Sequence, residues 1–137
     1  MNTFNMNAFL LRVCPLLLVL LAVTASAKEN SKPHIYSDVR LEEQGEKDLI
    51  GTELELKMDG STAAGVARIY QGRCAEPVKV TGSVSGNTIH VSGEGEGVGK
   101  IDITGKLEHG RFKGVLRLDR VHSSEKIRLK RISKPHC

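Results

Sequence analysis

The chain has no tryptophan, and only three phenylalanines and two tyrosines among its 137 residues. Surfaces that grip single-stranded nucleic acid stack the bases on interleaved aromatic side chains, and this sequence is too poor in them to build one. No long apolar run follows the first 24 residues, which argues against a multi-pass membrane protein. Cysteine is scarce too: Cys14, Cys74 and Cys137 stand far apart, without the close pairs of a zinc site. Also missing are a nucleophile elbow, a zinc-helix motif and a dinucleotide fingerprint. What remains, 39% hydrophobic and 26% charged residues, fits one small folded domain and excludes a disordered chain or a multi-domain enzyme.

The apolar run itself spans residues 8–24, with Arg12 near its start and Ala25-Ser26-Ala27 at its end. An apolar stretch closed by a small-x-small site is the pattern of a secretory signal peptide, here residues 1–27 cut after Ala27. The alternative, an uncleaved anchor, would need about 20 apolar residues to span a bilayer. Export to a periplasmic or secreted location follows, with a mature chain of residues 28–137 and no transmembrane segment after cleavage. Cys14 leaves with the signal. Cys74 and Cys137 are then an even pair in an oxidising compartment, and the reading is a structural disulfide that pins the C-terminus.

Residues 28–33 form a polar leader, and a single domain occupies 34–137. Apolar residues there recur with period 2: Leu54, Leu56 and Met58; Val78, Val80 and Val84; Ile101, Ile103 and Leu107. Turn chemistry falls between these runs. Gly86-Asn87 would pair Val84 with Ile89, His109-Gly110 would pair Leu107 with Phe112, and Asp59-Gly60 would face Leu56 toward Ala63. The segment beginning Val78-Lys79-Val80-Thr81-Gly82 returns 23 residues later as Ile101-Asp102-Ile103-Thr104-Gly105. Such repetition suits a meander of hairpins. Strands are predicted near 34–43, 48–58, 62–70, 77–85, 88–95, 100–108, 111–119 and 125–132. This is an all-β, antiparallel up-and-down barrel of about eight strands, with a two-sheet sandwich as the alternative. Its glycine-punctuated hairpins and late disulfide resemble the small exported lipocalin-like barrels, a likeness of architecture that assigns no residue a role.

The inward set predicted by alternation includes Ile35, Val39, Leu41, Leu54, Leu56, Ile103, Phe112 and Leu129. Gly65, Gly82, Gly105 and Gly114 fall on the same faces, with Gly105 opposite Gly114. Glycines there let strands bend as a barrel closes, or else leave a cavity for a small hydrophobic ligand. The first explanation is preferred.

Little points to catalysis. The run from Gly93 to Lys100 looks like a phosphate loop but lacks Gly at position 94 and Ser or Thr after Lys100, and it reads as a mobile loop or bulge. His34, His90, His109, His122 and His136 show no metal-ligand spacing. Glu53 and Glu55 sit two apart on the outer face of a strand, where solvation explains them. No catalytic residue, metal or cofactor is assigned.

Charge carries more information. Residues 28–60 hold five Lys/Arg against nine acids, and residues 111–137 hold nine against two. Arg111, Lys113 and Arg117 share one outward face on the penultimate strand; Lys126, Arg128 and Lys130 share it on the last. Either the acidic first strands offset this patch when the barrel closes, or it meets an anionic partner. The expected function is therefore a non-enzymatic interaction module, of inhibitor, immunity-type or adaptor kind. It would bind a protein or anionic envelope component, not nucleic acid, with loops 71–77 and 93–100 as further presenting elements. A carrier or sensor of a small hydrophobic ligand is the alternative.

Overall fold

The computed structural model describes residues 32–44 and 46–137, so the expected signal peptide and the start of the polar leader lie outside the described residues. Nine strands follow one another: β1 (His34–Ser37), β2 (Arg40–Gln44), β3 (Glu46–Asp59), β4 (Thr62–Gly72), β5 (Val78–Ser85), β6 (Thr88–Gly95), β7 (Gly99–Glu108), β8 (Arg111–Leu118) and β9 (Ser123–Ile132). All pairings are antiparallel, and β3 to β9 run as a meander. β1 closes the ring, bonding β9 on one side and β3 on the other. The result is a closed eight-strand up-and-down barrel, with β2 outside the ring on the first half of β3. Among the described residues no helix is long and apolar enough to cross a membrane.

The first predicted strand, 34–43, breaks into β1 and β2 at Asp38 and Val39. Asp38 exchanges ladder bonds for local ones: its Oδ1 accepts the Thr52 N–H at 2.6 Å and its own N–H donates to the Thr52 carbonyl at 3.1 Å. Gly51 makes room for this corner. Its φ is +134°, and a Cβ there would stand 2.8 Å from the Val39 Cα.

Two hairpin registers match expectation, with Val84 opposite Ile89 and Leu107 opposite Phe112. The third differs. Leu56 faces Gly65 while Met58 faces Ala63, because the turn is Gly60-Ser61. Gly60 takes φ +59°, the first-position geometry of a type II′ turn, and Thr62 Oγ1 donates to the Asp59 carbonyl at 2.9 Å. The slip moves partners by two residues, so every side chain keeps its face.

Leu54, Leu56, Ile89, Val91, Ile101, Ile103, Phe112, Leu116, Ile127 and Leu129 fill the interior. Three expected members are placed differently. Tyr36, opposite Leu54, takes the inward position at β1, and its neighbour Ile35 is buried on the outer face. Val39 is only half-buried at the corner. Leu41 is 46% exposed, since β2 lies outside the ring and covers no core. At Gly65, Gly82 and Gly114 a Cβ would collide with a carbonyl oxygen of the adjacent strand, that of Glu55, His90 and Thr104 respectively. At Gly105, opposite Gly114, it would meet the Phe112 ring at 2.6 Å. These glycines sit where strands coil closely over one another, and backbone and Phe112 occupy the space a side chain would need.

Candidate functional site

One continuous row of paired residues runs across the outside of the barrel: Arg111, Lys130, Ser37, Glu53 and Arg68, on β8, β9, β1, β3 and β4. Alternation sends all five outward, because their strand neighbours Phe112, Leu129, Tyr36, Leu54 and Ala67 are in the core. The two ends of this row behave differently.

At the Arg68 end, the outer face is covered. Glu53, expected to be solvated, is fully buried. Arg68 Nη1 donates to its Oε1 at 3.1 Å and to Glu55 Oε2 at 3.1 Å, and the Tyr70 hydroxyl lies 3.4 Å from Oε1. The C-terminal segment 133–137 brings two further donors: the His136 backbone N–H reaches Oε2 at 3.1 Å and its Nδ1 at 2.7 Å. A buried carboxylate is tolerable only when charge-assisted hydrogen bonds replace its water, and here they do. Burial, then the adjacent Glu53 charge, pushes the Tyr70 phenol up from its ordinary range, while Arg68 pulls the other way. The sulfurs of Cys74 and Cys137 stand at bonding distance, tying the end of this segment to the loop after β4.

Ser37, His136 and Glu53 thereby come together, yet they do not form a proton relay. Ser37 Oγ is 3.5 Å from the same Nδ1 that donates to Glu53, and it also accepts the Val39 N–H at 3.1 Å. A serine–histidine–acid relay needs the two ring nitrogens to face different partners. The arrangement holds the C-terminus instead.

At the other end, the face is open. Arg111 pairs with Lys130, Lys113 with Arg128 and Val115 with Lys126, so five of the six expected cations lie together across β8 and β9. Lys106 on β7, opposite Lys113, extends the group. The expected patch covers only the last two strands, although the parity of Lys106 with Asp102 already gives its outward facing. Among the described residues, Lys113 has a distant ion pair, to Glu108 at 4.0 Å, whereas Arg111, Lys126, Arg128 and Lys130 have none. The acidic first strands do not offset them. β1, which carries no acid, separates β9 from β3, and Glu53 is committed to Arg68 and His136.

Arg117 stands apart from this stripe, between Asp102 and Ser124. It borders an open groove of about 860 Å³ with Ser92, Lys100, Asp102 and Asp119. Asp102 holds His90 Nε2 at 2.7 Å, an exposed contact. The glycine run, expected as a mobile loop or bulge, is the end of the β6–β7 hairpin, with Gly95 opposite Gly99. Arg120 caps its turn, donating to the Glu96 and Gly97 carbonyls at 2.8 and 3.2 Å.

Compared with known proteins, the chain matches no family model, no curated protein and no solved structure. Its chemistry has to be read from its own surface. Among the described residues no three His, Cys, Asp or Glu side chains cluster as metal ligands.

Proposed function

We propose that this chain is an exported interaction module that docks an anionic partner, an envelope component or an acidic protein surface, on the outer face of β8 and β9. The observation that carries this reading is a cluster of five cations, Arg111, Lys113, Lys126, Arg128 and Lys130, in which only Lys113 has an ion pair among the described residues, to Glu108 at 4.0 Å. Like charges on paired strands repel, and at Arg111–Lys130 and Lys113–Arg128 the fold keeps four such charges opposed in two rows. An anionic partner relieves that repulsion and gains from it. A disulfide-bonded barrel suits the oxidising compartments outside the cytosol. The interior supports a surface role over a carrier role, since core side chains and close backbone contacts occupy the positions of the four glycines.

Retention on an immobilised sulfated polysaccharide at low ionic strength tests the reading. Each cation near an anionic surface contributes about 1 kcal/mol, so Lys113→Glu with Lys130→Glu should weaken binding by more than about tenfold. Both side chains are exposed and the fold should survive. Unchanged retention of the double variant would overturn the proposal.

A further inference from the structure

Where the basic face meets the C-terminal segment there is a hollow of about 350 Å³, between β1, β9 and His136. We infer that this hollow seats a single phosphate group of the anionic partner, so the inference rests on the function proposed above and names the group recognised.

The argument begins with the walls. Arg128 and Lys130 project from β9 into the lining and have no ion pair among the described residues. Lys130 lies directly opposite Ser37, a residue almost wholly buried in the floor. His136 forms the third side. Its Nδ1 is spent on Glu53, and its Nε2 has no partner among the described residues. Arg128, Lys130 and His136 thus border one small concavity.

Two acids lie close, and only Asp38 belongs to the lining of the hollow. Asp38 accepts the Thr52 N–H at Oδ1, at 2.6 Å, and its charge offsets one of the two cations. Glu53 is fully buried behind His136 and faces Arg68. Two cations and an imidazole against one carboxylate leave the hollow positive and rich in donors, which suits a compact anion with several acceptor oxygens. A phosphate meets that description, with a guanidinium fork and an ammonium as its usual partners. A carboxylate, with one charge and two oxygens in a plane, leaves part of the donor set unused.

The hollow also explains why the terminus is tied down twice. Without the Cys74–Cys137 link and the Glu53 hydrogen bonds, His136 would fray with the chain end and the third wall would be lost.

The test uses the disulfide-intact mature chain and inorganic phosphate, followed by backbone amide chemical shifts at constant ionic strength. Saturable shifts at Ser37, Arg128, Lys130 and His136, not reproduced by acetate, are expected. Two variants remove equal charge: Arg128→Gln with Lys130→Gln inside the hollow, and Lys113→Gln with Lys126→Gln on the open face. The first pair should weaken phosphate binding by about tenfold or more, and the second by about threefold or less. A response that acetate reproduces, or equal losses in the two pairs, would overturn the inference. If both pairs still weaken retention on the immobilised polyanion, the broader docking function survives that failure; if neither does, the docking function falls as well. Vesicles containing phosphatidate identify the source of the group. Tighter binding to them than to the same concentration of free phosphate supports a lipid headgroup, and equal binding supports a soluble phosphate.

Discussion

Glu53 and His136 are 83 positions apart and meet through two hydrogen bonds to one carboxylate oxygen, from the backbone N–H at 3.1 Å and from Nδ1 at 2.7 Å. This contact converts a loose chain end into part of the barrel wall. It also takes Glu53 out of the reach of the β9 cations, so one interaction builds the buried end of the row and leaves the other end positive.

Removing the Glu53 charge should be costly. Breaking a buried ion pair leaves its partners unsatisfied, and Glu53→Gln is expected to destabilise by about 3 kcal/mol. Glu55 shares Arg68 but its side chain is 25% exposed, so Glu55→Gln should cost less than about 1 kcal/mol. Urea unfolding of the two variants checks the difference, and comparable losses would contradict the assignment of Glu53 as the buried anchor.

The disulfide closes a sequence separation of 63 residues. In the chain-entropy description a loop of that size stabilises by about 4 kcal/mol. Cys74→Ser should lower the denaturation midpoint accordingly. It should also raise amide exchange over 133–137 more than in the β4–β8 core, because the terminus loses one of its two ties.

Gly82 and Gly97 offer a contrast between backbone contact and open space. A Cβ on Gly82 would collide with the His90 carbonyl, whereas one on Gly97 meets nothing within 4 Å. Gly82→Ala is expected to cost about 1–3 kcal/mol and Gly97→Ala to stay within about 0.5 kcal/mol. Thermal unfolding of both decides whether the barrel glycines serve close strand approach. A neutral Gly82→Ala would reopen the question of space beside that strand.

Stability should fall in strongly alkaline solution. Burial pushes both tyrosine hydroxyls, Tyr36 in the core and Tyr70 beside Glu53, above the ordinary phenol range. The folded state then holds protons that the unfolded state releases, so the contribution is complete below pH about 10 and is lost as pH rises through the folded values. With no tryptophan and only these two tyrosines in the chain, phenolate absorbance follows both directly. Tyr70→Phe should flatten part of the alkaline decline; an unchanged slope in both Tyr→Phe variants would contradict the shifts.

Much of the architecture was legible because it is encoded locally. Val84 and Ile89 across Gly86-Asn87, and Leu107 and Phe112 across His109-Gly110, needed only alternation and turn chemistry. Gly60-Ser61 shows the limit of that reading: two adjacent turn placements preserve the same inward set, and the choice fell to the glycine that takes positive φ. The break at Asp38 was not legible. It depends on a side chain capturing the Thr52 N–H 14 residues away and on Gly51 lying beneath it.

Period-2 alternation with glycine turns therefore determined the strand order, the facing of nearly every side chain, and the shared surface of Arg111, Lys113, Lys126, Arg128 and Lys130. Alternation states which way a side chain points. It carries no information about what lies on top of that side chain, and for Glu53 this was the deciding matter. Only the tertiary structure, by laying the disulfide-tied C-terminus over β3 and leaving β9 uncovered, made one end of the outer row a buried ion cluster and the other an open cationic face. The reason is physical: facing is set by neighbours one and two residues away, whereas cover comes from a segment 83 residues distant whose path the local pattern does not encode.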